Sequence, residues 1–246
     1  TLLHMAKIID EAEALREHGI DFGTPKINTK KMVEWKNSVV NKLTGGLTML
    51  AKQRKVEVVH GTARFIDATH LAVQTEAGEI TIAFEQAIIA VGSSVVQLPF
   101  VPEDQRIVDS TGALELEGKP GRMLVLGGGI IGLEMATVYR SLGWQMNIVE
   151  LMDQLMPGAD ADIVQAFSKF VAKRYENIWL KTKVTAIEAK KDGLWVTFEG
   201  EQAPQKKERF DKILVAVGRK PNGHLIDAEK AGVHVDERGF IPVDKQ

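Results

Sequence analysis

Cysteine is absent from all 246 residues, so neither a disulfide nor thiolate chemistry resides in this chain. An excess of one charge sign is also missing. Thirty-one basic residues face 33 acidic ones for a net charge of -2, which gives no electrostatic reason to expect nucleic acid or an anionic membrane as partner. No apolar run approaches the roughly 18 residues of a membrane span. The opening stretch TLLHMAKIIDEAEALREHG lacks the basic region and small-residue cleavage site of a signal peptide and reads as an amphipathic helix. The cytoplasm is the default compartment. His4, His18, His60, His70, His224 and His234 are scattered without ligand spacing, so no metal site is expected. An initiator methionine is lacking too. The sequence starts inside a helical pattern and stops inside the strand-like FIPVDKQ, and a piece of a longer protein is the expectation.

What is present is the balance of a soluble globular protein, 44% apolar and 26% charged, with length for one large domain or two ordinary ones. Leu2, Leu3, Ile8, Ile9, Ala12 and Leu15 share one helical face before Gly19. A second helix is predicted from Lys30 to Lys55. Met32, Trp35, Val39, Leu43, Leu47 and Leu50 recur along it at helical spacing, and Gly45-Gly46 weaken its middle. The period then switches to two, predicting strands at Val56–His60, Ala63–Asp67, His70–Thr75 and Glu79–Phe84. The apolar run Ala87–Val91 predicts a strand buried on both faces. Residues 95–121 read as a connection with a short helix near Thr111–Leu116.

The second half is more regular. A strand at Arg122–Leu126 leads through glycines into a helix ending near Leu142. A strand at Gln145–Glu150, a helix at Asp160–Tyr175 and a strand at Ile178–Leu180 follow. Residues 183–210 alternate as a three-stranded meander, and Lys212–Val217 reads as a buried strand. The order predicts an α/β class: a doubly wound, Rossmann-like dinucleotide domain carrying an antiparallel meander.

The chemistry concentrates in Gly127-Gly128-Gly129-Ile130-Ile131-Gly132, a GxGxxG run between predicted strand and helix. Gly127 permits the tight turn, Gly129 lets backbone approach a pyrophosphate, and Gly132 lets helix and strand pack closely. The helix N-terminus then turns unpaired N–H groups toward phosphate. Glu150 closes the next strand about 20 residues on, where a carboxylate accepts hydrogen bonds from ribose hydroxyls and repels a 2′-phosphate. The pair predicts NAD(H) and disfavours NADP(H). Other features take structural readings. Trp35 is expected to pack at a core or domain edge, Lys206-Lys207 to solvate a strand edge, and Met146, Met152 and Met156 to fill packing gaps.

With VLGGGIIGLEM, IVE, IIAVGSS and VAVGRKPN, the chain resembles the dihydrolipoamide dehydrogenases, flavin- and NAD-dependent disulfide oxidoreductases, and their bacterial forms most closely. KLTGGLTMLAK, QLPFVPED, DSTGALEL, KVTAIEAKKDGLWVTFEG and KAGVHVDERGFIPVDKQ extend the likeness over essentially the whole chain. The resemblance implies a partial FAD-binding domain of the same type at 1–115, an NAD(H)-binding domain at 116–240, and a return to the FAD domain at 241–246. It implies that Gly127 to Ile131 hold the pyrophosphate, Glu150 the ribose and Val184 the adenine. Glu134, Ala216, Val217, Gly218 and Arg219 are implied at the nicotinamide end. Ala63, Val91, Gly92 and Ser93 are implied near FAD, with alanine and valine where the family often has glycine and threonine. The redox cysteine pair and the catalytic histidine of the family have no counterpart in this sequence, so the chain alone is expected not to turn over and not to retain FAD. The parent is expected to be a homodimer that oxidises dihydrolipoyl domains of 2-oxoacid dehydrogenase complexes through disulfide and FAD to NAD+. A related flavin disulfide reductase and a non-catalytic NADH-binding module are the competing readings.

Overall fold

The computed structural model describes residues 1–245; the last position of the predicted 241–246 segment lies outside the described residues. The chain forms two compact units, one of Thr1–Lys42 with Gln97–Gly218, the other of Leu43–Val96 with Arg219–Gln246. These units place the opening helix with the nucleotide-type sheet, so they are drawn differently from the boundaries expected at 115/116 and 240/241.

The first unit opens with α1 (Leu2–Ala14), continued by a 3-10 turn at Leu15–His18, and holds the start of α2 (Thr29–Gln53). After Gln97 come β5 (Ile107–Val108), β6 (Arg122–Leu126), α3 (Ile130–Ser141), β7 (Gln145–Val149), α4 (Ala161–Val171) and β8 (Asn177–Trp179). The antiparallel strands β9 (Thr182–Lys190), β10 (Gly193–Gly200) and β11 (Glu208–Phe210) intervene before β12 (Lys212–Val215). The parallel sheet runs β5-β12-β6-β7-β8, and β11-β10-β9 forms its own sheet, as the doubly wound reading requires.

Strand periodicity explains how this sheet holds two layers. Met123 and Val125 point into one core with Leu133, Ala136 and Tyr139 of α3 and Leu2 and Ala6 of α1. Leu124 and Leu126 point into the other with Val184, Ile187, Leu194, Val196 and Phe210 of the meander. A strand buried on both faces is what its unbroken apolar run demands. Each such large side chain contributes roughly 1.5–3 kcal/mol by leaving water. Polar groups inside are satisfied: the fully buried Asn147 donates to Glu176 at 2.9 Å and accepts from Asn177 at 2.8 Å. Helix α1 is tied to α3 and to the turn after α4 through Asp10, which pairs with Arg140 at 2.8 Å, accepts from Ser141 Oγ at 2.7 Å, and also pairs with Arg174.

The second unit contains β1 (Thr62–Phe65), β2 (His70–Thr75) and β3 (Gly78–Ala83) as an antiparallel sheet, and β4 (Ser93–Val95) paired with β13 (Arg219–Pro221). Its small core joins Phe65, Ile226 and Ala228 with Leu71, Phe84 and Ile89.

Several sequence expectations fail here for one physical reason. Val56–His60 and Ala87–Val91 form no strand, and Ile88 is 97% exposed. An apolar run becomes a buried strand only when neighbours supply hydrogen bonds on both edges, and among the described residues none pairs with either segment. Residues 240–245 likewise carry no strand. Helix α2 is continuous through Gly45-Gly46, yet its expected apolar face is largely unburied. Met32 and Val33 pack on the first core, whereas Trp35 is 46% and Leu43 68% exposed.

Candidate functional site

The glycine turn sits at the carboxyl end of β6, the central strand, where α3 begins. Gly127 adopts φ +101°, and a Cβ there would lie closer than 3.0 Å to the backbone of Ala216 at the end of β12. A Cβ on Gly132 would strike the Gly127 carbonyl oxygen and approach Val125 Cγ1 to 2.9 Å. Both glycines are therefore demanded by packing. Gly129 differs. It is extended at φ -78°, ψ 178°, and a Cβ there would meet nothing within 4 Å. The space in front of Gly129 is open, and Gly129 is the N-cap of α3 without any side-chain cap. The first turn of this 12-residue helix thus directs uncapped N–H groups and the positive end of its dipole into that space.

Gly129 lines a cleft of about 650 Å³. The cleft runs along the carboxyl edge of the sheet, lined by Leu126, Gly127 and Gly129 from the turn, Glu150, Val184 on β9, and Ala216 to Gly218 after β12. Seven of the residues read from the sequence as NAD-contacting meet here: Gly127, Gly129, Glu150, Val184, Ala216, Val217 and Gly218. Gly128 is buried behind the turn. Ile130 and Ile131, 66% and 38% exposed, and the exposed Glu134 sit on the first turns of α3 outside the lining.

Glu150 is 8% exposed, and its two carboxylate oxygens each accept one backbone N–H: Oε2 from Gly128 at 2.7 Å and Oε1 from Met152 at 2.8 Å. Sequence reasoning missed the rest of the wall. Leu98 and Phe100 reach the cleft from a proline-bracketed connection with no periodicity to betray them. Thr182, 1% exposed with Oγ1 donating to the Leu180 carbonyl at 2.8 Å, lines it from the start of β9. Met152, expected to fill a packing gap, is 51% exposed and borders the cleft. Met146 does fill the core, at 1% exposure.

The remaining predicted residues lie in the second unit and form a different constellation. Arg219 pairs with Val95 across the β4–β13 ladder, and its guanidinium donates through Nε to Ser93 Oγ at 2.8 Å and through Nη2 to the Ser93 carbonyl. Asn222 donates through Nδ2 to the Val91 carbonyl at 3.0 Å and through its N–H to that of Gly92 at 3.1 Å. Val91, Gly92 and Ser93 are thereby fixed to Arg219 and Asn222. Ala63 is half-buried on β1 opposite Val73. No group of His, Asp and Glu among the described residues is arranged to hold a metal ion, and no helix among them is long and apolar enough to cross a membrane.

Comparison with known proteins matches this architecture. The family model described as "Pyridine nucleotide-disulphide oxidoreductase" matches residues 1–246. A dihydrolipoyl dehydrogenase of Vibrio cholerae is 56% identical over 246 residues, covering 100% of this chain and 52% of the relative. That of Haemophilus influenzae is 53% identical, covering 100% of this chain and 51% of the relative. Among solved structures, the HOCl-induced flavoprotein disulfide reductase RclA of Escherichia coli superposes with TM-score 0.81 at 28% identity, covering 100% of this chain and 51% of that one. The chain therefore spans about half the length of the curated relatives it matches. The glycine turn opens on this cleft, and the match along the full sequence places the chain in the pyridine nucleotide-disulphide oxidoreductase family.

Proposed function

We propose that this chain is the NAD(H)-binding portion of a dihydrolipoamide dehydrogenase, together with part of its FAD domain. The observation that carries the NAD site is the open space at Gly129 in front of an uncapped helix N-terminus, with Glu150 in the same cleft. Pyrophosphate would take the N–H groups of Gly129, Ile130 and Ile131. The adenosine ribose would take the free lone pairs of Glu150, and adenine the Val184 side of the cleft. Ala216 to Gly218 would border the nicotinamide end, with Glu134 on α3 of the same unit. A carboxylate at the ribose opposes a 2′-phosphate by like charge, which selects NAD(H) over NADP(H).

FAD is a separate matter. The glycine-bearing strand–turn–helix occurs once among the described residues, at 122–141. Ala63, Val91, Gly92 and Ser93 offer a flavin only backbone and small side chains, so these residues alone do not fit its pyrophosphate. On this reading the domains run 1–115 for the partial FAD domain, 116–240 for NAD(H) and 241–246 for the return. The remaining FAD contacts, the redox disulfide and the acid–base histidine would come from sequence equivalent to the other half of the relatives. The parent would be a cytoplasmic homodimer acting on dihydrolipoyl domains, FAD supplying the electron relay between disulfide and NAD+. Identity of 56% to a dihydrolipoyl dehydrogenase against 28% to RclA favours that activity over a related disulfide reductase.

A chimera tests the proposal: these 246 residues replace their counterpart in the Vibrio cholerae enzyme. It is expected to reduce NAD+ with dihydrolipoamide, followed at 340 nm, and to use NADP+ poorly. A folded, flavin-containing chimera unable to reduce NAD+ would overturn the assignment.

A further inference from the structure

The role given to Glu150 so far, ribose recognition, leaves part of its geometry unused. The glycine turn has few internal restraints, because glycine adopts many backbone conformations at similar cost. Its shape here is set from outside, by the last residue of β7 and the segment after it. Gly127 N–H donates to the Val149 carbonyl at 2.9 Å, Gly128 N–H to Glu150 Oε2 at 2.7 Å, and Met156 N–H to the Gly128 carbonyl at 2.8 Å. Glu150 is itself anchored: its N–H donates to the Trp179 carbonyl at 2.8 Å, and its carbonyl accepts from Thr182 N–H at 3.0 Å. The second carboxylate oxygen takes the N–H of Met152.

The middle glycine of the turn records the same contact. The GxGxxG pattern leaves that position free, yet a Cβ on Gly128 would lie 2.7 Å from Leu155 Cδ2, 3.2 Å from Glu150 Cβ and 3.3 Å from Glu150 Oε2. Glu150 and Gly128 therefore fit as a pair. From this geometry we infer that Glu150 is a positioning residue for the pyrophosphate turn, bracing Gly128 and the Met152 loop in the binding shape whether or not a ribose is present. The inference rests on the cleft being the NAD(H) site and adds a task that ribose recognition does not require. A carboxylate has about four acceptor sites; two serve the brace, and the others remain for ribose hydroxyls.

One consequence separates the two roles. If Glu150 only recognised ribose, Glu150→Arg would exchange NADH for NADPH preference. A residue that also braces the turn cannot be exchanged this way, so Glu150→Arg loses NADH without gaining NADPH.

The test uses the chain itself and Glu150→Gln, whose side chain has one acceptor oxygen and replaces the other by a donor. Amide hydrogen exchange without ligand is the first readout. The Gly128 or Met152 amide is expected to exchange at least about ten-fold faster in the variant, as loss of a charge-assisted bond implies, while amides of Leu124 and Leu194 stay protected. Calorimetry with NADH and with its adenosine 2′,3′-dideoxy analogue is the second readout. Glu150→Gln is expected to weaken the analogue roughly ten-fold as well, although the hydroxyls are gone. Unchanged protection at both amides, unchanged affinity for the analogue, or NADPH binding by Glu150→Arg as tight as the NADH binding of wild type would each overturn the inference. Should wild type bind neither dinucleotide, the proposed function falls, and the exchange result decides the brace by itself. Should Glu150→Gln fail to fold, Gly128→Ala displaces the turn from an intact carboxylate. Equal weakening of NADH and the analogue is then expected, and unaltered affinity would overturn the inference.

Discussion

Alanine at Gly127 and alanine at Gly129 add the same methyl group two residues apart, yet the structure assigns them opposite consequences. At Gly127 the φ of +101° lies in a region that L residues rarely occupy, and the new Cβ would press on backbone atoms of Ala216, which cannot rotate away. Strain of about 1–3 kcal/mol from the dihedral, together with displacement of the sheet end, gives a loss of about 3 kcal/mol. For a chain of this size each kcal/mol moves the melting temperature by roughly 2–4 °C, so Gly127→Ala should melt roughly 6–12 °C lower. At Gly129 the φ of -78° suits any residue and a Cβ meets nothing within 4 Å. Gly129→Ala should change stability by no more than about 0.5–1 kcal/mol, with a slight gain from a stiffer unfolded chain. The methyl would instead fill the space where pyrophosphate meets backbone N–H groups, and NADH affinity should fall by roughly ten-fold or more. Thermal melts and NADH calorimetry on the two variants make the comparison. A Gly129→Ala protein that melts several degrees low, or binds NADH like wild type, would refute the assignment of that space to the ligand.

Three further outcomes follow from the cores and surface pairs. Tyr139→Phe leaves the fully buried Ala113 carbonyl without the hydroxyl that donates to it at 2.9 Å, and urea denaturation should show a loss of about 1–2 kcal/mol. Asp104 is held down to about 2, chiefly by the Arg106 side chain and then by its backbone N–H. The pair's stabilisation is thus present above the unfolded value of about 3.9 and lost as pH falls through about 2. Asp104→Asn should cost about 1 kcal/mol near neutral pH and nothing once both states are protonated. Burial lowers the Lys212 ammonium below its ordinary value, with Glu117 opposing the shift. The unfolded chain then binds more protons in the window just under about 10.4, so stability rises with pH there. Denaturation of Lys212→Met across that window should show the rise abolished.

How much of this was legible in the sequence depends on where the restraints lie. Arg122–Leu126 and Gln145–Val149 were readable because both faces of each strand are filled from within the same unit, and the meander because its alternation matches one buried and one open face. Gly127 and Glu150 were readable because consecutive strand, turn, helix and strand bring them to one edge, whereas Val184 was reached only through the family resemblance. Leu98, Phe100 and Thr182 escaped because their place in the cleft arises from chain crossings that leave no period. Ala87–Val91 misled in the other direction. Its apolar run signals a buried strand, but among the described residues no strand pairs with it. The bonds that Glu150 accepts from the Gly128 and Met152 N–H groups were invisible because an acidic strand end looks the same whether it faces ligand or backbone.

The most direct measurement is a calorimetric titration of the chain with NADH and, separately, with NADPH. Saturable NADH binding with NADPH weaker by at least about ten-fold, the difference expected for a 2′-phosphate set against the Glu150 carboxylate, is the predicted result. Equal affinity for the two, or no binding of either by the folded chain, would contradict the reading of this cleft.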